Sequence, residues 1–449
     1  MSREAGGPTS VNDGDRNSTI HSSSPEYLRP LSRWWLALSV RAGCFTAGLA
    51  AFYVVVEFRA HAGLLGVRGP DAYWALHWSR DYSSGFVRRG LLGEVLRTLG
   101  IDTTDYLAIT VLAWLISLAL ALLLIEAAFR LSRGLSELEA YLLVLALTMS
   151  PATVGLFAET TGDPLQLLLG AYLLLHWLLF VARPANSWWA GGVFGLFGLV
   201  VGLIHEASIF LLFPAAVISA FVLVRTTAAR VAALAYLLGS VIAVGSVILV
   251  TQQATGPVSG GYIHVGAARM AMPDYSFPSF TELLAVENAY NFGRGLVGYA
   301  MFANRLIGSL LVPFFLACLV SAVSFSAENY TSTDRKRVWA TFAIPIMLAT
   351  PLYLIAHDWG RFAGLAVVES LILLGLWRAA KAPQLNIDRV GVLSLTLLFA
   401  GIMTSAPALE SYRINGLYGM DYRLVGSGVL FTVAIAFAYR RFWRTQLDL

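Results

Sequence analysis

The stretch YLAITVLAWLISLALALLLIEAAF, residues 106–129, decides the fold. It carries a single charged side chain, Glu126, and is bounded by Asp105 and Arg130. A helix rises about 1.5 Å per residue, and a bilayer core about 30 Å thick takes about 20 apolar residues to cross. These residues fit that requirement and little else. Glu126 stands four residues before Arg130, the spacing of a helical ion pair at the inner end of a span.

The same pattern recurs outward in both directions. Hydropathy predicts spans near 35–56, 106–129, 140–157, 165–182, 188–204, 208–224, 231–250, 298–323, 338–356, 362–377, 390–404 and 425–439. The expectation is an all-α, polytopic transmembrane bundle of about 12 spans. Composition agrees: 57% of the 449 residues are hydrophobic and 13% charged, too little polar surface to coat a water-soluble globule. The net charge of +4 comes from 29 Arg and 2 Lys against 27 acids, spread along the chain, and gives no basis for nucleic-acid binding. The Arg excess is a composition associated with GC-rich bacterial coding. Cys44 and Cys318 both fall in apolar runs, so no disulfide framework is expected. Residues 1–33 are rich in Ser, Gly, Asn, Asp and Pro and read as a disordered cytoplasmic tail. Apolar sequence begins only at Trp34, so no secretory signal is expected, and 34–449 is read as one membrane domain.

Orientation follows from the positive-inside rule. With the N-terminus inside, 18 of the 31 basic residues lie on the cytoplasmic side and 12 outside, half of the latter in the long segment 57–105. Both termini are then cytoplasmic, and the location expected is the bacterial inner membrane. Two long outer segments result, 57–105 and 252–297; the second exceeds what a connection needs and reads as a lid or acceptor wall.

This topology gathers the unusual polar clusters on the outer face. In GPDAYWALHWSRDYSSGFVRRGLLGEVLRTLG, residues 69–100, Asp71, His77, Asp81, Arg88 and Arg89 are interleaved with Tyr73, Trp74, Trp78 and Tyr82. Aromatics alone would make an interface belt. Acids and paired arginines among them point to a site handling a phosphate and a hydroxyl. The second half reads as an interfacial helix: Leu91, Leu92, Val95, Leu96 and Leu99 share an arc of about 140°, with Glu94 and Arg97 facing away. Glu159 and Asp163 flank the next outer turn, where Asp163 also suits a helix N-cap ahead of Pro164. His205-Glu206 occupies a third turn and reads equally as a hydrogen-bonded structural pair. His357, Asp358 and Arg361 crowd a fourth, where the Arg361 guanidinium suits bidentate phosphate binding. Away from these turns, Glu369 falls in mid-span, where an ionisable group is costly and suggests function, although an interior hydroxyl or backbone partner would also account for it. The sequence holds no Walker motif, zinc-ligand spacing, HExxH or G-x-S-x-G elbow.

With the topology in place, the chain resembles the GT-C superfamily of integral-membrane glycosyltransferases. The resemblance covers roughly residues 35–225 and rests on the acid-bearing first outer loop, the run TTGDPLQLLLGAYLLL (160–175) and the polar-break segment GLIHEASIFLLFPAAV (202–217). The Asp-Glu dipeptide of many members is absent from the first loop. The resemblance implies transfer of a sugar from a polyprenyl-phosphate donor to a glycan, lipid or protein acceptor at the extracytoplasmic surface. Asp81, with Asp71 in reserve, would act as base; Arg88, Arg89 and Arg361 would grip phosphate; Glu159, Asp163, His205, Glu206, His357 and Asp358 would line the substrate site. A divalent cation is compatible with such a site but demanded by no motif. Two other readings stand beside it, a polysaccharide or O-antigen-type polymerase and a secondary transporter or flippase of lipid-linked sugars.

The orientation is testable before any chemistry. In a variant lacking Cys44 and Cys318, single cysteines at Ser84 and Gly360 are expected to react with a membrane-impermeant thiol reagent in intact cells. Labelling only after lysis would invert the topology.

Overall fold

A computed structural model describes residues 40–50, 77–79, 81–82, 90–102, 105–132, 137–148, 150, 153, 156–157, 163–182, 186–253, 262–265, 268–271, 314, 316–317, 320, 332–355 and 359–380. The chain divides into two units, Met1–Arg41 and Ala42–Leu449, and the helical bundle belongs to the second. The predicted spans at 298–323, 390–404 and 425–439, most of the 252–297 segment and the tail lie largely or wholly outside the described residues.

Where the chain is described, it is helical. In order come α1 (Leu91–Thr98), α2 (Tyr106–Leu131), α3 (Glu137–Thr148), α4 (Pro164–His176), α5 (Ser187–Ile204), α6 (Ser208–Leu211), α7 (Phe213–Val217) and α8 (Thr227–Gln253). A short antiparallel ribbon, β1 (Tyr262–Val265) with β2 (Ala268–Ala271), departs from the all-helical expectation inside the second long segment. Then follow α9 (Ser332–Ile355) and α10 (Trp359–Ala380). Four stretches are long and apolar enough to cross a membrane: Leu107–Leu131, Pro164–Ala182, Ser187–Ile204 and Thr227–Leu249. Their outward faces carry large apolar side chains, among them Leu107, Leu196, Leu238 and Ile242, which water would not tolerate in such number. This is a membrane protein.

Helix ends are set by local chemistry. The Asp105 carboxylate accepts from the Leu107 N–H at 2.9 Å and starts α2. Asn186 caps α5 in the same way, accepting from the Trp189 N–H at 2.8 Å. The expected Glu126–Arg130 pair closes at 2.7 Å near the far end of α2. Pro214 brings no N–H to the segment after α6, which breaks at Leu212, resumes as α7 and widens into a π-type turn over Ile218–Leu223.

The tightest packing joins α5 to α8. Gly191 faces Val231, Gly195 faces Ala235, Gly198 faces Tyr236 and Gly202 faces Ala243. Partner numbers rise together, so the two helices run parallel and Ser208–Leu223 carries the chain back between them. Gly191–Gly195 and Gly198–Gly202 are each four apart, the small-residue spacing that lets membrane helices approach closely. Ser240 Oγ then reaches across to donate to the Gly198 carbonyl at 3.2 Å. A second close approach sets Gly375 of α10 against Ala127 of α2. From Phe362 to Gly375 every residue of α10 is buried, which makes it an inner helix of the bundle.

A β-carbon at Gly198 or Gly239 would collide with the backbone of the facing helix, at Tyr236 and Gly195 respectively, whereas one at Gly192 would meet nothing. Gly198→Ala and Gly239→Ala are expected to destabilise the protein by about 1–3 kcal/mol, the usual range for overpacking. Gly192→Ala is expected to be neutral. Thermal unfolding in detergent, followed by tryptophan fluorescence, would report the difference.

Candidate functional site

The site begins with the segment ahead of α1, expected from the sequence to lie on the outer face. Its short helical turn 77–79 buries His77 and Trp78, and four residues after His77 comes Asp81. Beside it lies α1, whose amphipathic pattern is divided between two environments. Leu92 and Leu96 are buried, and Val95 and Leu99 are exposed at 45% and 68%. The exposed pair suits the lipid–water boundary expected of this helix.

Glu94 and Arg97, read from the sequence as facing away from the leucine arc of α1, hold the preceding loop. The Tyr82 N–H donates to Glu94 Oε2 at 3.1 Å, and Arg97 donates to both Glu94 oxygens. Arg97 Nε also lies 3.5 Å from Asp81 Oδ2. Arg97 stays half exposed while the preceding segment folds back to reach the same face. Hydrogen bonds from Arg97 first, and from the Tyr82 amide second, hold the Glu94 carboxyl below its ordinary value. Arg97 is raised in return by its bond to Glu94. Burial pushes the Tyr82 phenol up to about 12, with the Glu94 charge adding to the shift.

A second element meets this loop. The His205 ring centroid lies 6.0 Å from that of His77, with both side chains buried. His205 ends α5 in an extended conformation, and its carbonyl accepts from the Ser208 N–H at 3.0 Å at the start of α6. Its Nδ1 accepts from the Ala207 N–H at 3.2 Å, which in the neutral ring places the proton on Nε2. Glu206 sits half-buried in the same turn. The contact between His77 and His205 joins two segments more than a hundred residues apart in sequence.

The remaining candidates fall differently. Asp163 is buried and caps α4, accepting from the Leu165 N–H at 2.8 Å with Pro164 in the first turn. Capping accounts for that oxygen. Gln166, one turn on, ties α4 to its surroundings: Ser117 Oγ donates to its Oε1 at 2.6 Å, and its Nε2 donates to the Leu156 carbonyl at 2.8 Å. Arg361 lies in the first turn of α10. Asp71, Arg88, Arg89, Glu159, His357 and Asp358 lie outside the described residues. Among the described residues no three His, Cys, Asp or Glu side chains gather to hold a metal ion. Chemically, the described site offers a partly exposed carboxylate paired with an arginine of an amphipathic helix, and, four residues before that carboxylate, an imidazole buried against a second one.

Comparison with known proteins places these elements in a family. The family described as "Uncharacterised membrane protein Rv1490" matches residues 47–272, a range holding the Asp81 segment, α1 and the His205 turn. "Uncharacterized protein Rv1490" of Mycobacterium tuberculosis (H37Rv) and "Uncharacterized protein Mb1527" of Mycobacterium bovis are each 32% identical over 170 residues, covering 35% of this chain and 37% of theirs. The chain thus spans little more than a third of the length of these curated relatives. No solved structure matches it.

The clasp titrates in a defined direction. Glu94 is depressed in the folded protein, so its contribution is present above the ordinary carboxyl value of 4.5 and is lost as the pH falls through the lower, folded value. Hydrogen exchange at the Tyr82 amide, corrected for intrinsic rate, is expected to accelerate on acidification below that range. In Glu94→Gln the same pH step is expected to change nothing.

Proposed function

The chain belongs to the family described as uncharacterised membrane protein Rv1490, and we propose that it is a membrane glycosyltransferase of GT-C type, with about 12 spans and both termini in the cytoplasm. It transfers a sugar from a polyprenyl-phosphate carrier to a glycan, lipid or protein acceptor on the outer face of the bacterial inner membrane. The observation that carries the reading is the placement of Asp81. It is joined by Arg97 to an amphipathic helix with exposed Val95 and Leu99, on a loop whose His77 packs against His205.

A lipid-linked donor imposes this geometry. Its tail stays in hydrocarbon while its phosphate sits at the headgroup level, so the reacting carbon lies where an interfacial helix lies. The Asp81 side chain keeps about a fifth of its surface exposed and remains reachable by an acceptor hydroxyl. Asp81 takes the hydroxyl proton as the acceptor oxygen bonds to the anomeric carbon. The bond from that carbon to the phosphate oxygen breaks, and the polyprenyl phosphate leaves with the electron pair. Arg88, Arg89 and Arg361 are assigned to the phosphate, and Arg97, half exposed on α1, joins them. Glu159, Asp163, Glu206, His357 and Asp358 are assigned to the acceptor side, with Asp71 as the alternative base.

Glu369 favours a second reading, because transporters place ionisable groups at the midplane. A flippase of lipid-linked sugars would move its substrate without forming a glycosidic bond.

The test uses membranes containing the protein and a panel of radiolabelled polyprenyl-phosphate sugars. Label is expected to pass covalently into the acceptor fraction, and Asp81→Asn, with expression and insertion verified, is expected to lower transfer about 100-fold or more. Near-normal transfer by that variant would refute the assignment. Movement of label across vesicles without covalent transfer would select the flippase.

A further inference from the structure

Helix α5 ends at His205, so its first residue, Ser187, lies about 27 Å away at the other end of the span. Because α8 runs parallel to α5, it begins at that same end, which the sequence expects to face the cytoplasm. Three aromatic rings stand open there. Trp188 and Trp189 are 90% and 64% exposed, and Phe221, in the turn ahead of α8, is exposed as well. Two arginines lie among them. Arg225 joins the π-type turn over Ile218–Leu223 to α8, and Arg230 lies in the first turn of α8. Both are exposed.

The contact of Gly191 with Val231 sets the relative height of the two helix starts. Trp188 stands about 60° round α5 from Gly191, and Arg230 about 100° round α8 from Val231 in the opposite sense. For parallel helices face to face, opposite senses mean the same flank of the pair. Along the axis the two residues differ by about 3 Å. The Arg230 guanidinium carbon lies 5.9 Å from the centre of the Phe221 ring, within range of a cation–π contact. Arg225 is placed by its backbone: its N–H donates to the Ser219 carbonyl at 3.2 Å, and its φ is +59°. Beyond these residues the flank is apolar, with Leu196, Leu234, Leu238 and Val241 exposed. The described ion pairs all lie elsewhere, and no acid among the described residues pairs with Arg225 or Arg230. The first turns of α5 and α8 hold no acid either, and their caps, Asn186 and Thr226, are neutral.

We propose that Arg225 and Arg230 bind the headgroup of an anionic phospholipid, whose acyl chains lie along the exposed flank of α5 and α8. Tryptophan rings settle at the boundary between hydrocarbon and headgroups, so Trp188 and Trp189 put the start of α5 at headgroup height. Arg230 shares that height, and two positive charges without a protein counter-charge then face the phosphate layer. A guanidinium presents a planar fork that matches two oxygens of one phosphate. A zwitterionic lipid brings its own cation to the same place, whereas an anionic lipid brings net negative charge and complements the pair. A dissolved anion would meet the guanidinium groups alone. The aromatic and apolar surface continuous with them is matched by a molecule that has a charged head and a hydrocarbon tail. This site lies a full span from the His205 turn and depends on neither reading of the sugar chemistry.

The experiment is thermal unfolding of the purified full chain in phosphatidylcholine nanodiscs, with phosphatidylglycerol replacing an increasing share of the lipid. A ligand bound only by the folded state raises the midpoint in a saturable way, and such a rise is expected with phosphatidylglycerol. Removing either arginine is expected to raise the phosphatidylglycerol fraction that gives half the effect about fivefold, the weight of one cation near an anionic surface. The double variant Arg225→Gly, Arg230→Gln is expected to lose the response. Arg225→Gly separates charge from folding, because glycine adopts a positive φ without strain. Its midpoint in pure phosphatidylcholine is expected to be no lower than that of the parent, and it carries the test alone if the double variant fails to fold. Lys336→Gln removes an exposed cation of α9 that also has no ion-pair partner among the described residues, and is expected to respond as the parent does. A midpoint indifferent to phosphatidylglycerol would overturn the proposal, as would a rise that persists undiminished in the arginine variants. An equal loss in Lys336→Gln would reduce the effect to general surface charge, and the same rise from inorganic phosphate in phosphatidylcholine discs would assign it to a dissolved anion; either refutes a lipid site here. No arm reads sugar transfer, so failure of the Asp81 assignment leaves these outcomes untouched.

Discussion

Glycine at the α5–α8 contact lets two parallel backbones meet without side chains between them, and much of the described bundle is organised around that meeting. Inside a membrane, apolar side chains gain nothing by leaving lipid for one another, so close backbone approach and interhelical hydrogen bonds must hold the helices together. The Ser240–Gly198 bond is one such link, made possible because Gly198 leaves its own carbonyl accessible. Once α5 and α8 run parallel, the chain between them must cross back in the 16 residues of Ser208–Leu223. That segment is short and broken at Pro214, and its irregular start places Ser208 beneath the Tyr236 hydroxyl and His205 beside His77.

Two polar places among the described residues obey different physics. The Asp81–Arg97–Glu94 clasp is partly exposed, so water screens it and its worth lies in orientation: it fixes the loop that bears Asp81 onto an interfacial helix. Glu369 sits where nothing screens. At that depth a charge is acceptable only when a counter-charge or a full set of hydrogen bonds accompanies it. Solvent can be exchanged for protein at the first place without penalty; at the second the protein must supply the environment itself.

Much of the helix framework was legible in the sequence because hydrophobic length is a strong signal. The expected spans at 106–129, 188–204 and 231–250 became Tyr106–Leu131, Ser187–Ile204 and Thr227–Gln253, each within a few residues. Capping by Asp163 and the Glu126–Arg130 pair were legible too, since both act within four residues. Contacts between distant segments were not. Nothing in the local pattern of Glu94 and Arg97 says that Tyr82 and Asp81 fold back over them, and His77 gave no hint that His205 was its neighbour. The glycines of α5 were visible as residues, but their partners on α8 lie some forty positions away and follow no local rule. The β1–β2 ribbon, four residues a side, was too short to stand out from a Gly- and Tyr-rich loop.

Helix α10 connects these arguments. It carries Arg361 in its first turn and Glu369 eight residues later, about 12 Å further along the axis. Because it is buried all round between Phe362 and Gly375, and Gly375 sits against Ala127 of α2, it has little freedom to slide or rotate. Ser370 Oγ adds a bond across to the Thr341 carbonyl of α9 at 2.9 Å. A helix held so firmly fixes the position of its first turn in the bundle. The elements packed against α10 also reach the candidate site: α6 begins three residues after His205, and α4 begins at the Asp163 cap.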